Sequence, residues 1–220
     1  MISDAEEYLL SLETKGVKLG LERTRAFLKT CGSPHKKLKV IQVIGTNGKG
    51  STSAILAKLL RLQHNVGLYT SPHLYSLRER IRFNGMPICT QFMQTFINKH
   101  SQSIKNLDIS FFETMTVMAI AYFKDRGADY AIMETGLGGK FDSVTACKAT
   151  IFGISSISMD HSHILGDTIT KIAQEKIAAI KEKSQVYSVE QKDSVSKLIH
   201  SRCVETQSCY NAIKTNFQLQ

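Results

Sequence analysis

An α/β fold, with a mostly parallel sheet carrying helices on both faces, is predicted by three features of this sequence. Short β-rich runs alternate with longer helical patterns along the 220 residues, the rhythm of strand–helix–strand units. One apolar run passes through a glycine-rich turn straight into a helical pattern, in "VIQVIGTNGKGSTSAI", Val40 to Ile55. Polar residues close two other runs, Ser71 after "GLYT" and Glu134 after "YAIM", and open sheets of this kind place ligands at the carboxyl ends of their strands.

In chain order the predicted strands are "KVIQVIG", "NVGLYTS", "RIRFNG", "YAIMET", "ATIFGISSI" and "QVYSV". Helical patterns fall at Ser51 to Gln63, Gln91 to Ser103, Phe112 to Lys124, Thr168 to Lys183 and Asp193 to Cys203, with one or two more before Gly32. A hydrophobic fraction of 42% supports a real core, so residues 1–220 read as one globular domain. No apolar run approaches the roughly 20 residues of a membrane span, and "MTVMAIAYF" reads as a buried helix segment. The acidic start "MISDAEEYLL" lacks the pattern of a secretory signal. Cys31, Cys89, Cys147, Cys203 and Cys209 form no C-x-x-C pair, which predicts reduced thiols and a cytoplasmic protein. The formal net charge of +9 comes from scattered basic residues without interleaved aromatics. The missing stacking pattern speaks against nucleic acid, a polyanionic small substrate explains the charge equally well, and charge alone does not choose between them.

The glycine-rich turn departs from G-x-x-x-x-G-K-[ST], with Val43 at the first glycine position and Gly50 between Lys49 and Ser51. Its physical requirements survive. Gly45, Gly48 and Gly50 allow a tight turn and close approach, the helix start offers N–H groups, Lys49 suits phosphate oxygens, and Ser51 or Thr52 supplies a hydroxyl. A plain β-to-α turn with a capping serine is the simpler alternative.

Glu134, between an apolar strand and Gly136, Gly138 and Gly139, suits a Mg²⁺ ligand or a solvated strand end. Asp160, His161 and His163 follow another apolar run, His163 reading as a loop residue and one of the three as a further metal ligand. In the next helix Asp167 is the expected cap, and Lys176 falls inside the apolar stripe Ile169, Ile172, Ala173 and Ile180. A lysine there either snorkels to water or reaches a site where desolvation lowers its pKa. "SLRERIRFNG" is predicted to set Arg78, Arg80 and Arg82 on one strand face, and Glu113 in "SFFETM" is a helix-start charge or the lip of an aromatic pocket.

Taken together, "GLERTRAFL", "GTNGKGS", "YTSPHL", "RERIRFNG", "SFFE", "METGLGGKFDS" and "SISMDHSHILGDTITKIAQEKIAAIK" resemble folylpolyglutamate synthase and its dihydrofolate synthase relatives in the Mur ligase superfamily. The resemblance implies a P-loop-type Mur ligase central domain and an ATP-dependent ligase. Such an enzyme joins L-glutamate to folate or dihydropteroate through an acyl phosphate. It implies that Gly45, Thr46, Asn47, Gly48, Lys49, Gly50 and Ser51 hold ATP, Lys49 acting on the transferred phosphoryl group. One or two Mg²⁺ ions would be held by Ser71, Glu134 and His161, with Lys176 carbamylated and His161 counted with the catalytic set. Substrate recognition would fall to Ser110, Phe111, Phe112, Glu113, Phe141, Asp142 and Ser143.

The family pattern "GLGGRLDATN" becomes Lys140, Phe141, Val144 and Thr145 at four positions here, and Lys lacks the bidentate fork of Arg. Relatives are roughly twice as long. The resemblance therefore predicts an ATP-binding domain incomplete at its C-terminus, without the glutamate-binding domain and with weak or no ligase activity alone. A nucleotide-binding remnant, half of a split enzyme with a separately encoded partner domain, and a different Mur-type ligase are the alternatives.

Overall fold

The computed structural model describes residues 4–16, 18, 20–160 and 165–213. Eight strands form one sheet: β1 Lys39–Ile44, β2 Val66–Tyr69, β3 Ile81–Phe83, β4 Met86–Pro87, β5 Tyr130–Glu134, β6 Ile151–Ile154, β7 Gln185–Ser188 and β8 Cys209–Ala212. Their order is β4-β3-β2-β5-β1-β6-β7-β8, parallel except at the β2–β3 and β3–β4 pairs. The mostly parallel α/β sheet expected from the alternation is thus what forms.

Period-2 alternation decides the two faces. Val40 and Ile44 of β1 enter the larger core with Tyr69, Met133 and Phe152, while Ile41 and Val43 face the smaller cluster with Leu68 and Ile132. Helices α1 Asp4–Ser11, α2 Glu22–Thr30, α4 Thr90–Asn106, α5 Phe111–Asp125, α6 Ile169–Ile177 and α7 Asp193–Glu205 all contribute to the larger core. Helix α3, Lys49–Leu60, covers the other face through Ala57, Leu56 and Leu60. Among the described residues no helix is long and apolar enough to cross a membrane.

Helix α5 shows how local chemistry fixes an element near the site. Ser110 Oγ accepts the Glu113 N–H and the Glu113 carboxylate accepts the Ser110 N–H, closing a capping box. Such a cap stabilises a helix start by about 1 kcal/mol.

Strands β4 and β8 were not expected from the sequence, and other details differ as well. Helix α3 begins at Lys49 rather than Ser51, because Gly48 at φ 83° makes the N-cap. Helix α6 ends at Ile177, its last turn tightening through Ala179 N–H to Lys176 O and Ile180 N–H to Ile177 O. Its cap is Thr168, which accepts the Lys171 N–H, while Asp167 instead pairs with Lys171 Nζ at 2.8 Å. Arg78 and Arg80 lie in a 3₁₀ turn, Leu77–Arg80, that precedes β3, so the three arginines share no strand face.

Gly67 in β2 leaves no room for a side chain. An added Cβ would sit 2.3–2.6 Å from three ring carbons of the fully buried Phe123. Gly67→Ala is expected to cost about 1–3 kcal/mol through overpacking, lowering the urea midpoint without changing the denaturant slope. An unchanged midpoint would contradict this packing.

Candidate active site

Three strand ends and one helix converge on the glycine-rich turn. After β1 the backbone passes Gly45 at φ 146°, where an added Cβ would lie 2.1 Å from Ser155 Oγ. The Thr46 and Asn47 N–H groups donate to Ser156 O at 2.7 and 3.2 Å, stitching the loop to the segment after β6. Thr46 Oγ1 also donates to Ser158 O and accepts the Ser158 N–H. Anchored this way, the loop directs the first N–H groups of α3 outward; the Thr52 N–H is bonded back to Gly48 O. Those that precede it have no intrahelical partner and carry the positive dipole end. Lys49 Nζ donates to Thr46 O at 3.0 Å.

Glu134 ends β5 beside this helix start, 4% exposed, with both carboxylate oxygens 3.5 Å from where a Gly50 Cβ would lie. Its Oε2 accepts the Ser71 N–H at 3.0 Å. Burial pushes its pKa up, against the opposing pull of that N–H and of Lys49.

Lys176 comes from α6, the element whose apolar stripe it interrupts. It is 3% exposed and does not reach water: Nζ donates to Gly45 O at 2.8 Å. Burial, with the charge of Lys49 second, brings its pKa down to about 8. Gly139 makes this approach possible, since a Cβ there would fall 2.2 Å from Lys176 O.

The loop after β5 is held by Asp142. Its buried carboxylate accepts the N–H groups of Gly136, Leu137 and Val144 at 2.9–3.0 Å. Burial is the larger influence on it, raising its pKa to about 6. Lys49 acts electrostatically on Glu134, Asp142 and Lys176 alike.

Beside this cluster opens a cavity of about 300 Å³. Ser110, Phe111, Phe112, Glu113, Phe141, Asp142 and Ser143 all line it. Glu113 serves both as helix-start charge and as pocket wall: only 3% exposed, it accepts from Ser110 Oγ, Thr24 Oγ1 and Arg23 Nε. Sequence reasoning named Arg80 only on a strand face and not at this cavity, where its guanidinium lies 5.0 Å from the Phe111 ring centroid and donates through Nε to His73 Nδ1 at 2.9 Å. The S-x-x-E spacing of Ser110 and Glu113 was the unread signal for the helix start that forms this wall. Asp160 lies near enough to Lys176 to raise its pKa; His161 and His163 lie outside the described residues.

Residues 43–216 match the Mur ligase middle domain. The chain belongs to the Mur ligase family. It is 39% identical over 187 residues to the dihydrofolate synthase/folylpolyglutamate synthase of Bacillus subtilis, covering 81% of this chain and 44% of that protein. The Mycobacterium tuberculosis folylpolyglutamate synthase complexed with ADP superposes with a TM-score of 0.84 at 30% identity, over 95% of this chain and 51% of that one. An FPGS–AMPPCP–folate complex gives a TM-score of 0.84 at 27% identity, over 97% and 56% of the two chains. The chain therefore spans about half the length of these relatives, which are folylpolyglutamate and dihydrofolate synthases.

The buried lysine makes a sharp prediction. Its folded pKa of about 8 lies below the ordinary 10.5, so the unfolded chain binds the proton more strongly between those values. Its burial penalty is present below pH 8 and relieved as pH rises through that window. Lys176→Met is expected to leave stability at pH 7 equal or higher and to abolish the rise between pH 8 and 10, measured by urea unfolding. A large loss at pH 7 with the rise retained would contradict it.

Proposed function

We propose that this chain is the ATP-binding part of a folylpolyglutamate or dihydrofolate synthase, which extends a folate or dihydropteroate with L-glutamate. The observation that carries this reading is the shared wall: the loop 136–143 borders both the phosphate-type turn and the aromatic cavity. A nucleotide and an aromatic carboxylic acid would meet there.

In this reading the N–H groups at the start of α3 bind the ATP phosphates, with Lys49 turning from Thr46 O to the γ-phosphoryl oxygens. The acceptor's aromatic part lies between Phe111, Phe112 and Phe141, its carboxylate directed at the γ-phosphorus. The carboxylate oxygen forms a bond to that phosphorus as the bond to the ADP oxygen breaks. The glutamate amine then attacks the acyl carbon and inorganic phosphate leaves. In this reading a separately encoded C-terminal domain supplies the glutamate site.

Glu134 and Ser71 fit a Mg²⁺ ion that takes its remaining positions from water and phosphate, because Mg²⁺ favours one or two hard protein oxygens. Glu134 keeps lone pairs beyond the Ser71 N–H bond and faces the N-terminus of α3. Bound there, the ion would neutralise phosphate charge. His161 is proposed as a further ligand. Lys176, with its lowered pKa, can present a neutral amine, which adds carbon dioxide and releases a proton to become a carbamate.

Binding of Mg·AMPPCP to the purified chain tests the assignment. Lys49→Ala removes a charge-assisted hydrogen bond to phosphate, and its dissociation constant is expected to rise about 10- to 150-fold. Calorimetry showing equal affinity for the two proteins would sink the phosphate-loop reading.

A further inference from the structure

At the amino ends of β1 and β6, which are neighbours in the sheet, opens a cavity of about 460 Å³. The six residues of β1 separate it from the phosphate turn at the opposite end of that strand, about 20 Å at the rise of a strand. Four cations line it: Arg25 and Lys29, one turn apart on α2, Lys36 just before β1, and Lys148 just before β6. All four are exposed, and no carboxylate lines the cavity. Among the described residues none of the four forms an ion pair. Like charges at the helical spacing of Arg25 and Lys29 repel, and an anion between these side chains would relieve that repulsion.

Exposed lysines alone would mark only a solvated face, and His35 supplies the independent observation. It forms part of the cavity wall, is 8% exposed, and has its Nδ1 buried without a hydrogen-bond partner. Buried polar atoms nearly always have one. Burial, and then the charges of Lys148 and Lys36, lowers its pKa, so near neutral pH the ring is uncharged and carries a single N–H that can donate from Nδ1. Leu28 and Ala146 add apolar surface to the same cavity. Its volume falls in the range that holds small organic ligands, about 300–1,000 Å³.

We propose that this cavity binds a phosphate dianion carried on a small apolar body. The phosphate oxygens meet Lys36, Lys148 and the Nδ1–H of His35, while the body lies against Leu28 and Ala146. Phosphate suits the place better than a carboxylate, because its three terminal oxygens accept donors from several sides at once. Since the cavity and the phosphate turn stand at opposite ends of β1, both can be occupied together.

The test titrates the full chain with phenyl phosphate, inorganic phosphate and benzoate, followed through the imidazole NMR signals of His35, which His35→Asn assigns. Phenyl phosphate is expected to shift those signals saturably with a dissociation constant of about 1 mM or lower, inorganic phosphate to bind about threefold more weakly, and benzoate more weakly still. The double variant Lys36→Gln, Lys148→Asn changes only exposed side chains, and Asn tolerates the left-handed backbone of Lys148 at φ 57°. It should weaken phenyl phosphate about tenfold. Saturating Mg·AMPPCP should leave the affinity unchanged. No saturable shift of His35 up to about 10 mM would overturn the site. So would an unchanged affinity in the double variant, displacement by Mg·AMPPCP, or benzoate binding as tightly as phenyl phosphate. Inorganic phosphate binding as tightly as phenyl phosphate would overturn the apolar body and make the free ion the ligand.

Discussion

The contact on which the site depends is the burial of Lys176 against the carbonyl of Gly45. It joins α6, which arrives late in the chain, to the turn after the central strand β1. A buried ammonium is costly unless hydrogen-bonded, and one bond to a carbonyl beside the cation Lys49 leaves much of that cost in place, as the depressed pKa records. The remainder is offset by the packing of Ile172, Ala173 and Ile177 on the same helix face. Stability held in reserve elsewhere thus keeps a poised amine at the centre, the usual exchange at a functional site.

Glycines make that arrangement geometrically possible at two places. Gly139 lets the loop after β5 lie on the Lys176 backbone, and Gly45 lets the turn after β1 lie on Ser155. Asp142 then fixes the loop through three N–H groups, so one side of it faces the phosphate turn and another the aromatic cavity. The cavity's far wall is equally determined, by a capping box that spends Ser110 and Glu113 on the start of α5. The surface toward the turn and the surface toward the cavity share one short segment of backbone, and disturbing either disturbs both.

Much of this was legible in the sequence, for reasons specific to each residue. Lys176 stood out because it broke an apolar stripe with period 3.6, and Glu134 because it closed an apolar run before three glycines. The place of Arg80 was not legible. The run "SLRERIRFNG" alternates as a strand would, but Ser76 and Glu79 cap a 3₁₀ turn first, which buries Arg80 against Phe111 and His73. Strand β8, "CYNA", was missed because four residues of mixed polarity carry no period; it exists because β7 offers it a parallel edge. The early end of α6 likewise reflects tertiary bonds, such as Arg202 to Ile180 O at 2.9 Å, that local pattern does not encode.

The central claim is that the turn at 45–51, the end of β5 with its following loop, and α6 act as one nucleotide site. Amide hydrogen exchange of the chain with and without Mg·AMPPCP tests it most directly. The account predicts slowed exchange in residues 45–52, 134–145 and 168–177 together, with α1 and β8 unchanged. Protection confined to the turn alone, or centred on segments remote from it, would contradict the account.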